Sequence, residues 1–171
     1  MGGRGASSPS GKYTDKHGVE HTYGSEYTSV HQVDNIKFII QNGQPGSAPL
    51  ETQIAPERKP KGRIHVSIDG EAQITNVSFY KGDGRKFKTV DTNSRGHKEN
   101  GIQYGPDHTH KGYEHNEDGT DFSTRQEMQT LNRVKGIWEQ FSKKNPELIA
   151  AIKNKGYKRM DQVRKYLPAK K

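Results

Sequence analysis

The sequence predicts an α+β domain, in which a small antiparallel sheet carries one main amphipathic helix on one face. Residues 63–68 alternate strictly between apolar and polar side chains, as in a strand with one buried face. Further along the chain, apolar residues recur at helical intervals, at Met128, Leu131, Val134, Trp138 and Phe141. Because the strand patterns come first and one strong helical pattern follows them, we expect the helix to pack on the sheet.

The first two predicted strands are separated by a long connection. Residues 35–40 alternate with an apolar face, and residues 41–62, rich in proline and glycine, are expected to form a loop. The strand at 63–68 follows. Asp69-Gly70 then favours a two-residue type I′ hairpin turn.

Two more strands complete the predicted meander. The third runs to about Tyr80, and its apolar alternation changes phase near Thr75-Asn76, which predicts a β-bulge there. A glycine-containing turn leads to the fourth, at residues 86–91. Residues 92–121 show no periodicity and are expected to form a loop.

The main helix and two shorter ones are expected to end the chain. Ser123 and Gln126 have the spacing of a capping box at the start of the main helix. Asn145-Pro146 is typical of the N-cap and first position of a second, short helix. Residues 158–167 predict a last, basic helix.

Three segments follow from these patterns. Residues 1–18 are rich in glycine and serine and predict a flexible N-terminal arm, residues 19–142 form the α+β domain, and residues 143–171 form a basic helical tail. The main helix should bury its apolar stripe on the apolar side of the strands. This packing would join Leu131, Val134 and Trp138 to Ile64, Val66, Ile68 and Phe79.

Composition limits the partners. The net charge is +8, which favours polyanions and above all nucleic acid, with RNA as the first expectation. The chain has no cysteine, which excludes disulfides and thiolate zinc sites. No apolar run is long enough to span a membrane, so no membrane partner is expected.

Histidines concentrate in "GPDHTHKGYEHNE", residues 105–117. Metal-independent RNA cleavage needs a base and an acid, roles that imidazoles can share near neutral pH. His65, on the polar side of a predicted strand, could meet His108 and His110 in the loop that leaves the same sheet, with Arg63 as the cation beside the phosphate. In this hypothesis no cofactor is required.

The alternative is a metal site in the same segment. His108 and His110, at i and i+2, point the same way in an extended chain, and His115 could return across a turn. These three imidazoles would bind zinc or another divalent metal.

Aromatic and basic side chains near these histidines are candidate nucleic-acid contacts. Aromatic rings between cations can stack on bases, while lysine and arginine neutralise phosphates. The candidates are Tyr104, Lys111, Tyr113, Arg85 and Lys86.

Four stretches together resemble the variable C-terminal regions of minor head proteins, and small companion proteins, of phages of Firmicutes: "GGRGASS", "TDKHGVE", "NIKF" and "HTHKGYEHNE". The resemblance covers about residues 1–142. Some such modules are similar to polymorphic toxins, including metal-independent ribonucleases of the barnase, EndoU and RelE-like type. The resemblance therefore implies a phage-associated, RNase-like effector, in the bacterial host cytoplasm or on the virion. The alternative is a non-enzymatic accessory protein of the phage head or portal that binds the head or nucleic acid.

Overall fold

A computed structural model describes residues 12–14, 18, 20–22, 27–41, 62–92, 96–112, 118–154 and 163–168. Its strands are β1 (Lys12–Thr14), β2 (Glu20–Thr22), β3 (Tyr27–Val33), β4 (Ile36–Gln41), β5 (Arg63–Ile68), β6 (Ile74–Tyr80), β7 (Lys86–Asp91), β8 (His97–Glu99), β9 (Ile102–Tyr104), β10 (His108–Lys111) and β11 (Thr120–Asp121). The helices are α1 (Arg125–Lys144) and α2 (Pro146–Lys153). Neither described helix is long and apolar enough to cross a membrane.

The main sheet has seven strands in the order β11-β10-β7-β6-β5-β4-β3. The predicted α+β class is confirmed, and β5, β6 and β7 form the predicted antiparallel meander. β4 and β5, however, are parallel, so the sheet is mixed. Parallel neighbours need a connection of about a dozen residues or more, and the segment between these two strands is long enough.

Several strands lie where none was predicted. Residues 92–121, expected to be a loop, carry β8 to β11, and β3 precedes the first predicted strand. Within the predicted flexible arm, residues 12–14 form β1 and pair with β2. The rest of that arm, apart from Gly18, lies outside the described residues. The strand β10 escaped prediction because every one of its side chains is polar, so it has no apolar alternation.

The β5–β6 connection departs from the expected turn, whereas the bulge is confirmed. Ser67 pairs with Asn76 and Ile68 with Ile74, which leaves Thr75 as the extra residue. Residues 69–73 form a five-residue turn rather than a type I′ hairpin. The Asp69 carboxylate accepts backbone hydrogen bonds from two residues of this turn, so local side-chain bonding determines its shape.

The predicted packing of α1 on the sheet is confirmed. Leu131, Val134 and Trp138 lie in one buried core with Val66 and Ile68, while Ile64 and Phe79 are partly buried against it. The indole Nε1 of Trp138 donates a 2.8 Å hydrogen bond to the backbone oxygen of Ala72. The helix thereby also holds the β5–β6 turn.

The helix boundaries differ slightly from prediction. The capping box of α1 consists of Thr124 and Glu127, one residue after the predicted pair Ser123 and Gln126. The helix α2 begins at Asn145-Pro146, as predicted.

The predicted boundary at residue 142 falls inside α1, and the segment beyond it joins the same core. Leu148, Ile152 and Val163 are all buried there. Of the predicted third helix at 158–167, only its end is described, and only Val163 and Arg164 are helical.

Replacing Leu131 with alanine tests the packing of α1. Leu131 is fully buried, so Leu131→Ala should lower the free energy of unfolding by about 2–5 kcal/mol. The matched control Gln129→Ala, on the exposed side of the same helix, should change it by less than about 0.5 kcal/mol. Chemical denaturation followed by Trp138 fluorescence measures both. Equal effects of the two substitutions would contradict this packing.

Candidate functional site

The side of the sheet opposite α1 is lined by polar side chains, and we call it the polar face. Strand alternation directs the apolar residues of β5, β6 and β7 to the helix and their neighbours to the other side. The polar face contains Arg63, His65, Ser67, Asn76, Ser78, Tyr80, Lys86, Thr89, Asp91, His108 and His110. Most of these residues are buried, so their polar atoms need partners within the protein.

Two histidines and one carboxylate converge at one end of the polar face. The Nε2 atoms of His108 and His110 are 3.1 Å apart. The Oδ2 atom of Asp91 lies 3.1 Å from the Nε2 of His110 and 3.6 Å from that of His108. The side chains of His108 and His110 are only 1% and 6% exposed, whereas that of Asp91 is 21% exposed. This cluster therefore opens to solvent on the Asp91 side.

The Nδ1 atoms of both histidines have hydrogen-bond partners that fix the orientation of the rings. The Nδ1 of His108 lies 2.8 Å from the backbone oxygen of Gly105, which can only accept, so this nitrogen carries the proton. The Nδ1 of His110 lies 3.1 Å from the Oγ1 of Thr120 on β11. Both rings are thus oriented with Nε2 facing Asp91.

The strand that carries the two histidines is anchored on its other side by Glu127. Thr109, between His108 and His110, points to the helix and donates a 2.8 Å hydrogen bond to Oε1 of Glu127. The Oε2 of Glu127 accepts a 2.8 Å bond from Lys88 of β7. One carboxylate at the start of α1 therefore fixes both strands of the cluster.

The charge of Glu127 is stabilised despite its burial. Burial alone raises the pKa of this carboxyl group, but hydrogen bonds from Lys88, the Thr124 backbone and Thr109, together with the positive charge of Lys88, outweigh it and lower the pKa below the ordinary 4.5. The carboxylate is therefore charged at neutral pH.

His65 lies on the polar face but far from the cluster. It is aligned with Ser78, Thr89 and His110 across three successive strand pairs. Three interstrand spacings amount to about 14 Å. The predicted meeting of His65 with His108 and His110 at one scissile phosphate is therefore not made.

The surroundings of His65 keep its ring neutral. It is 2% exposed and packs between the rings of Tyr27 and Tyr80, at 5.5 and 4.9 Å. Burial, reinforced by the charges of Lys37 and Arg63, holds its pKa well below the ordinary value. Although His65 lies on the polar side of β5, it is buried, because both faces of this strand are covered.

The predicted basic contacts are spread over the sheet. Arg63 and Lys86 are buried on the polar face, in register with Tyr80 of the strand between them. Arg85 is exposed in the turn before β7, and Lys111, also exposed, forms a 3.2 Å ion pair with Asp121.

The predicted aromatic contacts are only partly described. Tyr104 is buried, lies near the rings of Phe122 and His108, and donates a hydrogen bond to the backbone oxygen of Thr120. Its ring therefore packs beside the cluster. Tyr113 and His115 lie outside the described residues.

Asp91 is the functional candidate that the sequence did not reveal. It is the last residue of β7 and pairs directly with His108 of β10. Only the register between two strands brings it to the histidines. Because β10 has no apolar alternation, the sequence carries no signal of this pairing.

Fold and site together define an α+β protein with a two-histidine, one-carboxylate cluster at one end of a polar sheet face. Comparisons with family models, curated proteins and solved structures found no match for the chain. The resemblance to modules of phage minor head proteins therefore stays a prediction.

Substituting Glu127 with glutamine should destabilise the protein in a pH-dependent manner. Since the folded pKa is lowered, the stabilisation by the carboxylate is fully present above pH 4.5 and is lost as pH falls through the folded pKa. Above pH 4.5 we expect Glu127→Gln to lower the free energy of unfolding by about 1–3 kcal/mol. Denaturant unfolding from pH 7 to pH 3 measures the difference, which should shrink on acidification. A constant difference would contradict the charged role.

Replacing His65 with phenylalanine should remove part of the acid sensitivity. In the unfolded chain His65 binds a proton near pH 6.5, whereas the folded protein keeps it neutral. Stability is therefore lost as pH falls below 6.5, by up to about 1.4 kcal/mol per pH unit. The slope of unfolding free energy between pH 6.5 and 5 should be smaller in His65→Phe than in the wild type. Identical slopes would rule out a buried neutral His65.

Proposed function

We propose that this protein is a nuclease-type hydrolase that cleaves phosphodiester bonds at the cluster of Asp91, His108 and His110, with RNA as its substrate. The observation that carries the proposal is the convergence of two imidazole Nε2 atoms and a carboxylate oxygen within 3.1–3.6 Å. Such groups can activate a water molecule or a ribose hydroxyl and assist departure of the leaving oxygen.

The proposed centre is local, in contrast to the catalytic hypothesis that combined His65 with His108 and His110. His65 is three strands away and is held neutral, so it cannot act as an acid at the same phosphate. In this proposal His108 and His110 remain the candidate reactive groups, and Asp91 is added as their partner.

The charge of the chain supports a nucleic-acid substrate. A net charge of +8 attracts the phosphate backbone, and the cluster is reached from solvent at Asp91, whose side chain is 21% exposed. The sequence resemblance supports an effector role in the bacterial host or on the virion.

Cleavage of RNA by the purified protein tests this function. Wild-type protein should degrade total RNA, assayed both with EDTA and with added Zn²⁺ or Mn²⁺. His110→Ala and Asp91→Asn should each lower the rate by about 10²–10⁴, because a catalytic group is lost. Asp121→Asn is the matched control, since this carboxylate is exposed on the neighbouring strand β11, and it should keep full activity.

A failure of this assay has a defined meaning. If the wild type leaves both RNA and DNA intact under every metal condition, and its expression does not slow bacterial growth, the nuclease proposal is overturned. The non-enzymatic accessory role at the phage head would then be the better hypothesis.

A further inference from the structure

We propose that Asp91, His108 and His110 bind one divalent transition-metal ion. The metal hypothesis from the sequence combines His108 and His110 with His115, which lies outside the described residues, whereas the structure places the Asp91 carboxylate of a neighbouring strand beside the first two. Within the described part of the chain, these three residues form the single group of three or more histidine, cysteine, aspartate or glutamate side chains that is close enough to share a metal ion.

The three ligand atoms have the spacing of a coordination face. Ligands of a tetrahedral ion at about 2.0–2.2 Å lie about 3.3–3.6 Å apart, and those of an octahedral ion about 2.8–3.1 Å apart. The observed separations of 3.1, 3.1 and 3.6 Å fall in this range. A triangle with these sides has a circumradius of about 1.9 Å, so an ion could contact all three atoms at ordinary bond lengths.

The hydrogen bonding around the cluster also favours a cation. Because the Nδ1 of His108 donates to the Gly105 carbonyl, its Nε2 presents a lone pair to the Nε2 of His110 and to the Asp91 carboxylate. If the Nδ1 of His110 donates to Thr120, three electron-rich atoms face one another, and this arrangement is stable with a cation between them. If the Nδ1 of His110 instead accepts from Thr120, the ring proton of His110 lies on Nε2. The Nε2 of His108 and the Asp91 carboxylate must then share this one proton.

The surroundings match those of known metal ligands. Ligating histidines commonly donate their second ring nitrogen to a backbone or side-chain oxygen, which fixes the ring and raises its basicity. Gly105 and Thr120 occupy these positions. The register of β7 against β10 positions the third ligand without involving a flexible loop.

The donor set selects the kind of metal. Two imidazoles and a carboxylate suit Zn²⁺, Co²⁺, Mn²⁺ or Fe²⁺, whereas Mg²⁺ prefers oxygen ligands alone. Three protein ligands also leave coordination positions for water, as in catalytic sites. Catalytic use of the ion in hydrolysis rests on the proposed function, but binding of the ion does not.

Metal binding is measured directly on the full chain after treatment with EDTA and dialysis. Titration with Co²⁺ should produce visible absorption bands that saturate at one ion per chain, and Zn²⁺ should abolish them by competition. A millimolar concentration of Mg²⁺ should leave them unchanged. Asp91→Asn should weaken Co²⁺ binding by at least about tenfold, while the control Asp121→Asn should bind like the wild type.

The outcomes separate this inference from the proposed function. Saturable binding that depends on Asp91, in a protein that cleaves neither RNA nor DNA and does not slow bacterial growth, supports the metal site and overturns the nuclease. RNA cleavage in EDTA, by a wild type that binds no Co²⁺ or Zn²⁺, keeps the nuclease and overturns the metal site. Equal binding by Asp91→Asn and Asp121→Asn, both folded by circular dichroism, would place any ion elsewhere and also overturn the proposal.

Discussion

The carboxylate of Glu127 is the contact on which the arrangement of the site depends. It caps the first turn of α1 through Thr124, receives Lys88 from β7 and accepts the hydroxyl hydrogen of Thr109 from β10. Since side chains alternate along a strand, fixing Thr109 on the helix side fixes His108 and His110 on the polar face. The same carboxylate therefore sets the helix start and the face of the sheet on which both histidines lie.

The two faces of the sheet differ in character, since one packs in the apolar core and the other carries polar side chains. Only 27% of the residues are hydrophobic, and the structure concentrates its buried apolar side chains between the sheet and the helices. The polar face, although largely buried, is held by bonds between neighbouring strands, such as the one between Ser78 and Thr89. Thr89 is in turn paired with His110 of β10, so this bond lies beside the cluster.

The sequence predicts those strands and helices that have one apolar face. The strand at 63–68 and the core side of α1 are visible because one face is apolar. The predicted capping box lies one residue before the observed one, because Ser123 with Gln126 and Thr124 with Glu127 have the same spacing. The bonds from Lys88 and Thr109 to Glu127 favour the second pair, and these are tertiary contacts. The strand β10 has no apolar residue, so the sequence predicts neither this strand nor its pairing with β7, which brings Asp91 to the histidines.

Asp91, the third member of the cluster, is brought to the two histidines by strand pairing and not by closeness in sequence. His115, the predicted third ligand, lies outside the described residues, whereas strand pairing places Asp91 opposite His108. The short strand β11 then pairs only with Thr109 and His110, so β10 has no β11 partner at His108. At that end of β10 the Asp91 side chain is more exposed than either histidine. Solvent therefore reaches the cluster at the end of β7, where Asp91 lies.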